Sequence, residues 1–205
     1  MASRREFLQI GVAALALPIS ARGISPAIAG LAGEPARVPL YKIVFDERFP
    51  ASRGFAEEAK SLRVPIHGMK GDITEFWYHD LYARWKQGPA AIAGLTAHGP
   101  IFCLERIAWD QRMRVVFRAD HRYREDGTIE HALSGPESML REAASLHNVG
   151  ADWASRMANL VTRCPASRSQ ISQTNIVAST GKHADDPDHL ISWVIAPVNS
   201  PVNRA

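Results

Sequence analysis

Ala90-Ala91-Ile92-Ala93-Gly94-Leu95-Thr96-Ala97-His98-Gly99-Pro100 is the stretch that decides the fold. A run of small and apolar residues suited to one buried strand ends at Thr96. Gly99-Pro100 then opens a helix, with proline in the first turn where its missing N–H costs nothing. Ile101, Leu104, Ile107 and Ala108 supply that helix's apolar face.

The same alternation precedes this unit. Tyr41 to Phe45 reads as a short buried strand, closed by Asp46-Glu47-Arg48, and a helix follows with Ser52 as its cap and Phe55, Ala56, Ala59 and Leu62 on one face. Val64 to Met69 is a second strand, with Pro65 near its beginning. Gly71-Asp72-Ile73-Thr74-Glu75 carries the residues of a capping box, and Ile73, Trp77, Leu81 and Trp85 recur every four positions behind it, ending at Gly88-Pro89. Met113 to Phe117 is a fourth strand.

Three strand–helix repeats before a fourth strand imply parallel strands joined by crossover helices. The expected fold is α/β: a small Rossmann-like or flavodoxin-like three-layer sandwich, with a mainly parallel sheet, an added antiparallel hairpin and a C-terminal strand. The hairpin spans Arg118 to Leu133 and turns at Asp126-Gly127, a favoured two-residue turn. Helices are expected near 136–148 and 152–163, and the last strand is Leu190 to Ala196, beyond a polar loop from Ser179 to His189.

At the N-terminus, Ser3-Arg4-Arg5-Glu6-Phe7-Leu8-Gln9 leads into an apolar stretch to Ile19, and Pro26-Ala27-Ile28-Ala29 has small residues where a signal peptidase reads. Ser3 to Leu8 resembles the twin-arginine export consensus S-R-R-x-F-L, with Gln9 where that family often has lysine. The resemblance covers only the leader. It implies a periplasmic protein exported already folded, often with a cofactor or a partner subunit bound. The organisation expected is a signal peptide over 1–29, a tether over 30–40 and one domain over 41–205. The apolar stretch is short of the ~20 residues a spanning helix needs, so no permanent membrane span is expected.

The 205 residues carry 24 Lys+Arg and 21 Asp+Glu, a formal charge of +3. Cleavage after Ala29 would remove Arg4, Arg5, Arg22 and Glu6, leaving 21 against 20. No basic run or basic–aromatic alternation stands out, which argues against a nucleic-acid partner. Cys103 and Cys164 could form a disulfide in an oxidising compartment, although Cys103, within the pattern Ile101, Leu104, Ile107, is expected as a buried free thiol.

Ligands of open α/β sheets bind outside the carboxyl ends of the strands. That rule gathers Asp46 and Arg48 after the first strand, Lys70, Asp72 and Thr74 after the second, and Thr96, His98 and Gly99 after the third. The helix opening at Gly99 would turn its free amides on a bound anion or polar group. The alternative at each position is structural: Thr96 or His98 caps the helix, Asp72 belongs to its capping box, and Asp46-Glu47-Arg48 is a self-compensating cluster. No dinucleotide, P-loop or nucleophile-elbow motif occurs, and no cofactor can be named.

A two-residue turn pairs Arg122 with His131, so His121 and His131 point to opposite faces and cannot share an ion. His183, Asp185, Asp186, Asp188 and His189 lack calcium-loop spacing, so no metal site is expected. Trp77, Tyr78, Tyr82 and Trp85 crowd one helix as core, as a docking face or as a ligand platform. Three functions follow: an accessory or small subunit of an exported redox enzyme, paired with a larger redox subunit; a small-ligand or anion-binding domain; or an enzyme with His98 as general acid or base and Asp46 or Asp72 as its partner.

Overall fold

The computed structural model describes residues 36–166, 171–179 and 189–197. The expected signal peptide, most of the tether and the ligand-rich loop residues His183, Asp185, Asp186 and Asp188 lie outside the described residues. Strands β1 (Leu40–Asp46) and β2 (Ile66–Met69) flank helix α1 (Pro50–Ser61) in sequence. A continuous helical segment follows, made of α2 (Thr74–Phe76), a π-helical turn (Trp77–Leu81) and α3 (Tyr82–Lys86). Then come β3 (Ala91–Ala97), α4 (His98–Asp110), and the hairpin of β4 (Met113–Tyr123) and β5 (Thr128–Pro136). Helices α5 (Glu137–Ala143) and α6 (Trp153–Thr162), with 3-10 turns between them, lead to β6 (Ile171–Ser179) and β7 (Leu190–Pro197).

The strands form one sheet of seven, ordered β2-β1-β3-β7-β4-β5-β6. The fold is thus α/β, but the expectation of a mainly parallel sheet is corrected. Only β1–β2 and β1–β3 pair in parallel, and every other pairing is antiparallel. The cause is β7, which enters between β3 and β4. Its first seven residues are all buried, as in a strand covered on both faces. Strand β4 still runs in the same direction as β3, as the crossover through α4 requires; the last strand was expected over Leu190 to Ala196, but not its place between them.

Side chains sort onto two faces by strand alternation. Ile43, Ala93, Leu95, Phe117, Leu133 and Val194 pack with Phe55 of α1 and with Leu140, Trp153 and Met157 of α5 and α6. Val44, Ile92, Trp193 and Ile195 pack on the other face with Phe76, Leu81 and Trp85, and with Ile101 and Leu104 of α4. Phe55 and Phe76 are wholly buried, each contributing about 1.5–3 kcal/mol. Asn159 Nδ2 donates to Glu58 Oε1 at 2.7 Å, tying α6 to α1. Gly94 is fixed by a close approach: a Cβ there would lie 2.4 Å from the Val44 carbonyl oxygen and 2.6 Å from the Trp193 ring.

The hairpin register also departs from expectation. Arg124 N–H donates to Thr128 O and Gly127 N–H to Arg124 O, while Gly127 has φ +77°. The loop is therefore Glu125-Asp126-Gly127, a turn closed by a left-handed glycine bulge. Asp126 Oδ1 holds it by accepting from Thr128 N–H at 3.0 Å and from Thr128 Oγ1 at 2.6 Å. Adding one residue to the loop changes the pairing, so His121 stands opposite His131 and both point to the same face.

Both cysteines are free, and the burial expected of Cys103 is corrected: Cys103 is exposed and Cys164 buried. On α4 the buried stripe is Pro100, Ile101, Leu104 and Ala108, which leaves position 103 on the solvent side. No described helix is long and apolar enough to cross a membrane.

Candidate functional site

An open cleft of about 540 Å³ lies at the carboxyl ends of β1 and β2. Glu47 enters it from the end of β1, His67 and Met69 from β2, and Lys70 and Asp72 from the following turn. Thr74, Glu75, Tyr78 and His79 come from the helical segment beyond. Three carboxylates thus stand against one ammonium. Tyr78 and His79 lie on the π-helical turn, where the widened backbone changes the direction of side chains.

The Asp72 carboxylate already serves this helix start: its Oδ1 accepts the Thr74 N–H at 2.8 Å. Its bonds to Thr74 hold its pKa below the usual carboxylate value. His67 is half-buried, its ring 4.5 Å from that of Phe76. Burial first, and then the charge of Lys42, lower its pKa, which leaves a neutral imidazole at neutral pH. Asp80 accepts from Lys42 Nζ and from the Tyr41 hydroxyl. Burial alone would raise the Asp80 pKa, but those hydrogen bonds and the Lys42 charge outweigh it, and the carboxyl stays ionised. The Tyr41 phenol is raised by its bond to Asp80.

The residues expected after the three strands do not form one constellation. Asp46 is fully buried and binds Arg48 through two side-chain contacts, at 2.9 Å to Nε and 2.7 Å to the terminal nitrogen, and it accepts the Arg48 N–H at 3.2 Å. The Arg48 guanidinium lies against Gly71, at the rim where Lys70 and Asp72 enter the cleft; a Cβ on Gly71 would stand 2.6 Å from Cζ. Thr96 is wholly buried, its Oγ1 donating to Ala97 O and accepting from Trp193 Nε1 at 3.2 Å. His98 is exposed and stacks on Phe102 at 5.8 Å, and Gly99 is open to solvent. Of the expected residues the cleft takes in Lys70, Asp72 and Thr74; it does not take in Thr96, His98 or Gly99.

Glu47, His67, Glu75 and His79 were not singled out from the sequence as site residues, whereas Tyr78 belongs to the aromatic group expected as core, docking face or ligand platform. The alternation Ile66-His67-Gly68-Met69 was the available signal for His67, since it sets His67 on the same face as Met69.

A second polar group is internal. His121 Nδ1 is 2.7 Å from His131 Nδ1, and His121 Nε2 is 2.9 Å from Ser192 Oγ. This is the bond order of a hydrolytic triad with a second imidazole in the carboxylate's place. All three residues are 0% exposed, and both imidazoles lie against the Trp153 ring, so Ser192 is shut away from solvent. His131 Nε2 is buried without a hydrogen-bond partner. Among the described residues no three His, Cys, Asp or Glu side chains are grouped to hold a metal ion.

No family model, no curated protein and no solved structure matches the chain.

Proposed function

We propose that the chain is an exported small-ligand-binding domain whose site is the β1–β2 cleft, and that its ligand is polar and positively charged, such as an amine or guanidinium. The observation that carries this reading is the cleft's charge: Glu47, Asp72 and Glu75 against Lys70, with His67 held neutral. Carboxylates in a polar recess favour cations, and the exposed face of Tyr78 offers a cation–π contact. The sequence led to the expectation of an anionic or polar ligand; an anion would meet carboxylates there, and the amide of Thr74 is already taken by Asp72. The β2-β1-β3 order with helices on both faces supports a Rossmann-like or flavodoxin-like reading of this half. Ser3 to Leu8 and Pro26 to Ala29 support export by the twin-arginine route.

Calorimetric titration with a panel of amines and guanidines against phosphate and dicarboxylates tests the reading. Binding confined to the cations, and lost in Asp72→Asn with Glu75→Gln, is expected. Binding of anions that survives both substitutions defeats it.

A second reading, an accessory subunit docked on a larger redox protein, is favoured by a separate observation. The exposed aromatics Tyr78, Tyr82, Phe102 and Trp109 all lie on the helices of one layer. Lys86 stands over Tyr82, and Arg106 over both Phe102 and Trp109. Such aromatic and arginine side chains are those enriched at protein interfaces. Co-purification of a larger subunit that is lost in Phe102→Ala with Trp109→Ala supports this reading against the first.

A further inference from the structure

The two edges of the sheet are unlike. At one, β2 has four residues, is preceded by Pro65 and followed by Lys70, features that blunt an edge against pairing. At the other, β6 has nine residues, Ile171-Ser-Gln-Thr-Asn-Ile-Val-Ala-Ser179, with no charge and no proline, and among the described residues its strand partner is β5 alone. Its outward face carries Ile171, 60% exposed, and Val177, 49% exposed.

The sequence of this strand is nearly self-complementary about Thr174. In an antiparallel pairing of two copies centred there, Ile171 faces Val177 of the second copy, Gln173 faces Asn175, and Thr174 faces Thr174. Ile171, Gln173, Asn175 and Val177 all stand on the same exposed face, so apolar side chains meet apolar ones and amides meet amides. A two-fold axis makes the contact isologous and closed, and the absence of charge removes like-charge repulsion at the axis. Each copy offers the row of main-chain N–H and C=O groups that β5 does not use.

We infer that a second copy of this chain occupies the β6 edge, joining two seven-stranded sheets into one through a two-fold axis at Thr174. The inference is independent of the ligand cleft, which lies at the opposite edge of the sheet.

Thr174→Cys in a Cys103→Ser background tests the register, since cysteines facing each other across the axis would stand about 5 Å apart at Cα, within reach of a disulfide. Mild oxidation should give a cross-linked dimer from Thr174→Cys and little from Asn175→Cys, whose counterpart is displaced along the strand. Sedimentation of the unsubstituted protein should show a dimer, and Val177→Lys should weaken it by about tenfold or more by placing a lysine at the edge of each copy. A monomer at all concentrations overturns the inference. So does an association that Val177→Lys leaves unchanged, or an open-ended series of oligomers. Should Thr174→Cys fail to fold, the Val177→Lys comparison decides alone.

Discussion

His121 and His131 stand opposite each other on β4 and β5, their Nδ1 atoms 2.7 Å apart and both rings shut away from water. One nitrogen of the pair must donate and the other accept, so the contact requires at least one neutral imidazole. Burial holds the His131 pKa down to about 4, and burial, with the nearby imidazoles His131 and His189, holds His121 well below its ordinary value.

The sign of the pH dependence follows. In the unfolded chain both imidazoles take up protons near pH 6.5, whereas the folded protein resists until much lower pH. Stability is therefore full above about pH 7 and declines as pH falls from 6.5 toward 4. His131 alone accounts for a loss approaching about 3 kcal/mol at the lower end. Urea midpoints measured from pH 7.5 to 4.5 should fall, and His131→Leu should make that decline shallower. A profile that His131→Leu leaves unaltered would show that other groups govern the acid limb.

The Trp193 indole and the Val44 carbonyl crowd Gly94, so Gly94→Ala should cost about 2–3 kcal/mol through overpacking. Thermal and chemical denaturation measure it. A loss within 0.5 kcal/mol would mean that β3 and β7 shift apart at little cost.

Thr96 and His98, adjacent in sequence to the same turn, should behave oppositely. Thr96→Val removes the acceptor of Trp193 Nε1 in a buried setting and should cost about 1–2 kcal/mol. His98→Ala, at an exposed position, should stay within about 0.5 kcal/mol.

The thiols differ in the same way. Cys103 should react with a water-soluble maleimide in the native protein. Cys164, buried and with its pKa pushed up to about 12, should react only on unfolding. Equal labelling rates for the two would contradict the placement of α4 and of the segment after α6.

The strand–helix alternation through Met113 was legible because each element there carries its own local signature: a buried apolar run, a proline or a glycine stop, a cap. Strand β6 was not, since an edge strand buries little. Ile171 and Val177 face outward among Gln, Asn and Ser, a pattern that reads as polar loop. The histidine pair was hidden by the turn, because Asp126-Gly127 suits both a two-residue loop and a longer one closed by a glycine bulge, and that one residue decides which faces His121 and His131 share. Asp46, Arg48 and Asp72 were expected together around one mouth, yet Asp46 is buried and only Asp72 lines the cleft. Their roles in an ion pair and at a helix start emerge only from distances, and the entry of Tyr78 and His79 into the cleft depends on how a π-helical turn directs its side chains.

Strand β7 has one further consequence. Residues 91–97 and 113–123 are joined only by way of 190–197, so the parallel and antiparallel halves of the sheet have no shared hydrogen bonds until the last strand is available. The first 166 residues, however well formed locally, would expose the unpaired sides of β3 and β4. The centre of the sheet is therefore completed only once residues 190–197 have been synthesised, and closure over such sequence distances is intrinsically slow. Loss of residues 190–197 would leave two half-sheets with sticky flanks where the sheet has its centre.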